Sequence, residues 1–443
     1  MSLRSYFHAF RQSPALANTS WLLVEKVITM ILALIVSVLM ARSLGPEGFG
    51  VVTYVIAVFT LISPLSALGL NAIVTKELVL DKQSSERIMS TVLFYRILGG
   101  VVTLFAVFIM LKLEVLTQLK GYEWAIILLA VVNVFTALHV IDFWFQAKVL
   151  SKYIALSRLI VVLFFTLVKC ALVYLDLPIE RFLQAIIVEY LFICIGFAIV
   201  YYHKNGRFSV FNIDYSYGFS LLKKSVWLIL SGVASVIYLK IDQVMLAEMV
   251  STTETGIYAV ASRLSEVWYF FATILVTSYF PSLLKLKQNN GAGYQAKLQK
   301  LNDALFICAL LIAIFMYFFG ELLIVTLFGH QYAAAGIILV IHIWASIFVY
   351  MRALLSKWLI AENLFSFSLL TQGIGAIVNI VLNIYFIPLW GGIGAAAATV
   401  ISYACAGYLS LFLLPATRPM AYIMTKSIFL PLRVFLNRVK FAS

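Results

Sequence analysis

The sequence predicts an all-α integral membrane protein with about twelve transmembrane helices in two six-helix bundles. Three observations carry that prediction: the composition, the lengths of the apolar runs, and the placement of Lys and Arg. Of 443 residues, 63% are hydrophobic and only 12% charged, and the mean hydropathy is +1.02. A soluble domain is about half apolar and about a quarter charged. A water-facing surface cannot absorb this excess, whereas hydrocarbon can. The net charge of +13 would point to nucleic acid in a soluble chain. Here the hydropathy overrides it, no nucleic-acid partner is expected, and the charge is read by position.

A helix crosses the hydrocarbon core with ~20 mostly apolar residues. Such runs lie at 20–44, 50–70, 88–111, 124–146, 153–175 and 182–202, and again at 221–247, 257–280, 302–328, 334–355, 364–386 and 393–415. Turn and charge signals separate them: Gly45-Pro46, Lys204-Asn205-Gly206-Arg207, Gly291-Ala292-Gly293, and Pro388 to Gly392. The first run is too long for a signal-peptide core and lacks an A-x-A site, so it is expected to stay as a helix. The expected layout is an interfacial segment at 1–19, a bundle at 20–202, a linker at 203–220, a second bundle at 221–415 and a basic tail at 416–443. In the first segment Leu3, Tyr6, Phe7 and Phe10 fall at helical spacing beside Arg4 and Arg11. The tail from Ser427 to Lys440 mixes apolar residues with Arg433, Arg438 and Lys440. Both segments read as interfacial helices on an anionic leaflet.

With twelve spans, segments alternating onto one side hold 21 of the 32 Lys and Arg residues and the other side holds four. By the positive-inside rule the rich side is cytoplasmic, with both termini there. The loops on the other side are short, leaving no room for a folded external domain. The chain also resembles itself. A shift of 206 pairs Trp21-Leu22-Leu23 with Trp227-Leu228-Ile229, and a shift of 210 pairs Pro178 with Pro388. Two parallel six-helix repeats are implied, and folds built this way carry substrate between their halves.

Seven cations remain inside the spans: Lys26, Arg96, Arg158, Lys169, Lys240, Arg263 and Arg352. The clearest acids there are Glu25, Asp142, Glu189, Asp242 and Glu266. A charge at mid-bilayer costs ~2.5–3.5 kcal/mol even on the lenient insertion scale, so each must face protein or water. Lys26 shares a face with Thr29, Ala33 and Ser37, and Arg158 and Lys169 share one nearly three turns apart. His139, Asp142 and Gln146 form another stripe. Arg263 and Glu266, at i, i+3, are placed to pair. One reading has these cations lining a wet cavity that attracts a phosphate or pyrophosphate. The other has them snorkelling or locked in structural pairs. Asp142 and Asp242 are candidates for a coupling proton or sodium ion, or for buried partners of Lys or Arg. The four cysteines sit singly inside apolar runs and read as small apolar residues. No P-loop, Ser/His/Asp arrangement or metal-ligand cluster is present, so neither an enzyme nor a cofactor is expected.

The chain is similar to the Wzx-type flippases of the polysaccharide transporter family, within the superfamily that includes multidrug and toxin extrusion (MATE) transporters. The likeness runs through Trp21-Leu22-Leu23-Val24-Glu25-Lys26 and the Ala41 to Gly50 stretch. It continues through Lys240-Ile241-Asp242-Gln243, Gly256-Ile257-Tyr258, Phe280-Pro281, Phe328 to Tyr332, and Asn379 to Asn383 with Pro388, Gly391 and Gly394. The resemblance implies a MATE-like V-shaped pair of bundles around a cationic cavity. It implies movement of an undecaprenyl-pyrophosphate-linked oligosaccharide, such as an O-antigen unit, from the cytoplasmic to the periplasmic leaflet of a bacterial inner membrane. Ion antiport would drive it, and membrane lipid and the polymerase and chain-length proteins of the same pathway would be partners. Glu25, Lys26, Lys240 and Asp242 occupy matching motifs, while Arg158, Lys169 and Arg263 rest on the shared-face argument alone. Two rivals are a cation-exporting multidrug antiporter, which should favour acids in its cavity, and a membrane glycan polymerase or ligase, which should carry a large external loop.

Overall fold

In a computed structural model, residues 14–80, 84–205, 212–288, 293–430 and 433 are described, and every regular element among them is helical. The interfacial helix read at Leu3 to Arg11 lies outside those residues, as do residues 434–443 of the tail.

Among the described residues, ten helices are long and apolar enough to cross a membrane, and two of these are double. The first, α1 (Pro14–Ala67), holds a span-like stretch of 48 residues from Ser20 to Ala67. At about 1.5 Å per residue this is about 72 Å, more than twice a ~30 Å hydrocarbon core. It breaks at Gly45, where φ is 69° and ψ 177°. That backbone region is open only to glycine, and Pro46 starts the next limb. The other double helix, Phe365–Gly407, breaks at Gly391 with φ 53°. There the Glu254 carboxylate accepts from the Gly392 N–H at 2.8 Å, capping the second limb. Eight single spans and two double ones give the twelve that the hydropathy predicts.

The remaining elements follow in order. A short helix, α2 (Asn71–Leu80), precedes α3 (Ser85–Lys112). The next span is α4 (Glu123–Phe135) and α5 (Val140–Ala147), joined by one tight turn. Then come α6 (Ser151–Tyr174), α7 (Ile179–Asn205) and α8 (Tyr215–Met249). Beyond Ser251, which caps it, α9 (Thr252–Glu266) leads into α10 (Tyr269–Gln288) and α11 (Tyr294–Phe328). The span of α12 (Ala335–His342) and α13 (Ala345–Ala361) precedes α14 (Phe365–Gly407), and α15 (Arg418–Ile428) follows.

The chain divides into two compact units, Met1–Val233 and Ala234–Ser443, so the division falls inside α8, beyond the 203–220 segment. The first unit packs around Val74, Met89, Phe145, Ile154, Phe197 and Leu221. The second packs around Leu305, Tyr350, Leu354, Met420 and Met424. Large apolar side chains such as Phe105, Ile160, Leu167, Phe318, Leu322 and Ile377 are more than half exposed. In water they would drive aggregation; in a bilayer they are the lipid-facing surface. All four cysteines are free thiols, and Cys194 is fully buried. The tail helix begins earlier than its sequence pattern suggests and docks on protein. Met420, Ala421 and Ser427 are buried, Asn302 donates to Ser427 Oγ at 2.8 Å, and Arg433 pairs with Asp303.

Candidate functional site: buried charges in the two units

In the first unit, Arg158 on α6 is held by two carboxylates. One of its Nη atoms lies 3.3 Å from both oxygens of Glu25 on α1, and the other donates to Asp142 on α5 at 3.1 Å. The fork geometry of guanidinium suits such bridging. Gln146 donates to the remaining Asp142 oxygen at 3.1 Å, and the Phe197 ring covers the guanidinium at 5.1 Å. The triad carries one net negative charge.

Nearby on α3, Arg96 is 3% exposed, and its Nε and one Nη have no hydrogen-bond partner among the described residues. It sits 5.7 Å from the Phe143 ring. Beside it, His139 Nε2 lies 4.0 Å from Cys194 Sγ. An open cavity of about 560 Å³ lies between α2 and α5, lined by Asn71, Thr75, Lys76, Phe143 and Gln146. Two of its lining residues thus hold the buried charges: Phe143 covers Arg96, and Gln146 anchors Asp142. Lys76 is exposed at its rim. Arg96 was visible in the sequence as a charge in an apolar run, but nothing there marked it as the buried cation without a carboxylate.

The other expected substrate cations are placed as follows. Lys26 is exposed, one residue from buried Glu25. Lys169 on α6 forms a close ion pair with Glu189 on α7. Lys240 on α8 donates to both oxygens of Glu266 on α9, at 3.3 and 3.1 Å. Glu266 thus meets a lysine from a neighbouring helix, a partner the i, i+3 spacing to Arg263 did not point to. Arg263 is half-buried.

Asp242, one helical face away from Lys240, is 2% exposed. Its carboxylate accepts from Tyr258 OH at 2.8 Å, Thr399 Oγ at 2.5 Å and Asn383 Nδ2 at 2.6 Å. All three donors are neutral. Asn383 Oδ1 is buried without a partner among the described residues, Asn379 Oδ1 lies 3.2 Å from Asn383 Nδ2, and the Ala395 carbonyl is 2.9 Å from Thr399 Oγ. A buried carboxylate ringed by neutral oxygens and an unused amide oxygen can hold a proton or a small hard cation. It was legible in the sequence as a single acid. Its cage was not, because Asn383 and Thr399 lie 141 and 157 residues away.

Residues 15–287 match the model of the family described as polysaccharide biosynthesis protein. The chain is similar to two Haloferax volcanii proteins. It is 25% identical to the probable flippase AglR over 264 residues, 56% of this chain and 52% of that one. It is 23% identical to the probable low-salt glycan biosynthesis flippase Agl15 over 202 residues, 44% of this chain and 42% of that one. The matched region therefore spans about half the length of these relatives. Among solved structures, the lipid II flippase MurJ, in an inward closed conformation, aligns with a TM-score of 0.69. The identity is 16%, covering 94% of this chain and 92% of that one. An inward-facing MATE family transporter of the MOP superfamily aligns at 0.68, with 10% identity over 90% of this chain and 96% of that one. The fold is the one these transporters share, and the chain belongs to the polysaccharide biosynthesis protein family.

Proposed function

We propose that this protein is a flippase that moves an undecaprenyl-pyrophosphate-linked oligosaccharide from the cytoplasmic to the periplasmic leaflet of a bacterial inner membrane, with both termini cytoplasmic. The observation that supports this most is membership of a polysaccharide biosynthesis family on a fold shared with a lipid II flippase. Sugar hydroxyls and a pyrophosphate lose water on entering hydrocarbon and gain nothing in return, so they need a polar path. Lys26, Arg96 and the cations now paired in Arg158, Lys169 and Lys240 are the groups that would replace that water, together with Arg263. The polyprenyl chain needs no such path.

Coupling would fall to Asp242, through a proton or sodium ion, with Glu25 and Asp142 as partners of Arg158. Among the described residues no three His, Cys, Asp or Glu side chains converge. A sodium ion would therefore be held by the Asp242 carboxylate with amide, hydroxyl and carbonyl oxygens. The test is complementation of cells lacking a glycan flippase. The chain should restore surface polysaccharide, and Lys26→Ala or Lys240→Ala should abolish it at equal expression. A second reading, a multidrug antiporter, draws on the likeness to MATE transporters. Dye efflux from energised cells with no restored polysaccharide would favour it.

A further inference from the structure

The interior of the second unit holds a polar seam that shares only Tyr258 with the cage around Asp242. One side is the stripe Tyr258, Ser262, Ser265 and Tyr269, spaced by three or four residues. The other is His342, Ser346 and Tyr350, spaced by four; the first stripe runs down one face of α9 and across the turn at 267–268 to the start of α10, and the second from the end of α12 across 343–344 into α13. The stripes are pinned at both ends. The Tyr258 and His342 rings meet edge to face at 5.9 Å, and Tyr350 OH donates to the Trp268 carbonyl at 2.6 Å. Between the pins, Trp268 Nε1, His342 Nδ1 and Ser346 Oγ are buried with no hydrogen-bond partner among the described residues, and Ser265 Oγ and Tyr269 OH have at most each other. Protein interiors rarely leave such groups unmet, and ordered water is the usual partner.

The seam joins two carboxylates. At one end Tyr258 OH donates to Asp242. At the other, Glu266 follows Ser265 directly and holds Lys240. The charged groups whose fields reach His342 are Glu266, Asp242 and Lys240. From α11, Glu321 packs against Gly336, six residues before His342 on α12. From α14 comes Thr399, which is neutral.

We propose that this seam binds a file of water molecules that carries a proton between Glu266 and Asp242, with His342 as the relaying group. Glu266 gives its proton to the water file, and His342 accepts one at Nδ1. The ring returns to neutrality as Asp242 takes a proton through the Tyr258 hydroxyl. One proton has then moved, and no charge is left on the ring. With the proton on Glu266, Lys240 has no anion beside it and is open to a phosphate. With the proton on Asp242, the Glu266 carboxylate recaptures Lys240. The position of one proton thereby sets the availability of a substrate cation. This inference rests on the reading of Asp242 as the coupling site.

The test uses the full-length protein in lipid nanodiscs. The carboxylic acid C=O stretch of Asp242 is followed by infrared difference spectroscopy after a pH drop. The band should be absent in Asp242→Asn. In His342→Gln, which cannot carry a proton, it should appear at least about tenfold more slowly, with the same final amplitude. Should His342→Gln fail to fold, Ser346→Val, which fills the seam with methyl groups, should slow it likewise. A wild-type rate in either folded variant overturns the relay and leaves the Asp242 reading standing. A band that persists in Asp242→Asn overturns both.

Discussion

Arg158 is the residue whose removal should cost the first unit most. Its side chain is 24% exposed, and those of Glu25 and Asp142 are 7% and 13% exposed. Arg158→Ala leaves two carboxylates facing each other in a low-dielectric interior. A loss of about 3 kcal/mol or more is expected, because one partner of a buried ion cluster is gone. Thermal denaturation in detergent checks it, and adding Glu25→Gln and Asp142→Asn should recover part of the loss. Outside the membrane, Asp214 sits below the usual carboxylate range. The main cause is the Tyr217 backbone N–H, which donates to it at 2.8 Å, and the Arg87 guanidinium adds to the effect. Because the folded-state value is lowered, its contribution is present above the unfolded value of about 4 and is lost as the pH falls below it. The protection of the amides at residues 215–219, relative to their intrinsic exchange rate at each pH, should therefore fall in acid, and Asp214→Asn should lack that step. These residues were legible in the sequence as charges, and their partners were not. Lys169 finds Glu189 and Lys240 finds Glu266 across 20 and 26 residues, on the next helix. Periodicity reports which face a residue occupies, not which helix faces it.

Among the elements, spans are the most legible feature, because only length and apolarity define them. The Gly45-Pro46 and Pro388–Gly392 signals mark real breaks, although each falls inside one continuous helix bent at a glycine. Sequence could not separate a bend from a loop, since both need the same residues. Across the 206-residue register the two halves also differ: spans one and two continue through Gly45, whereas α8 and α9 are separated at Val250–Ser251. Gly45→Ala is expected to cost ~1–3 kcal/mol, since an L side chain is strained at this φ and ψ. A lowered thermal midpoint with unchanged helix content is the readout. Two short helices escaped the hydropathy reading. The α2 sequence carries Thr75, Lys76 and Glu77 among its apolar residues, and α15 opens on Arg418-Pro419. Proline in the first turn was the available signal for α15. Its dock depends on Asp303, which accepts from Ser427 Oγ at 2.7 Å and pairs with Arg433. Asp303→Ala should expose residues 418–433 to protease while the spans stay protected.

At the scale of the whole molecule, composition fixed the solvent, the count of apolar runs fixed the fold class, and chemistry is confined to a few buried charges. In the first unit the buried charges near α5 are equal in number: Arg96 and Arg158 against Glu25 and Asp142. In the second, Asp242 has only neutral donors in its cage. A transporter needs such uncommitted groups, because a site that is fully paired in every state has nothing to exchange. Under the proposed function, transport of a pyrophosphate-linked glycan depends on the occupancy of Asp242. The most direct measurement is uptake of a short-chain polyprenyl-pyrophosphate glycan into proteoliposomes under an imposed proton or sodium gradient. Wild type should transport faster with one of the gradients than without, and Asp242→Asn should show the same slow rate in both conditions. Gradient-stimulated transport by Asp242→Asn at the wild-type rate would contradict the account.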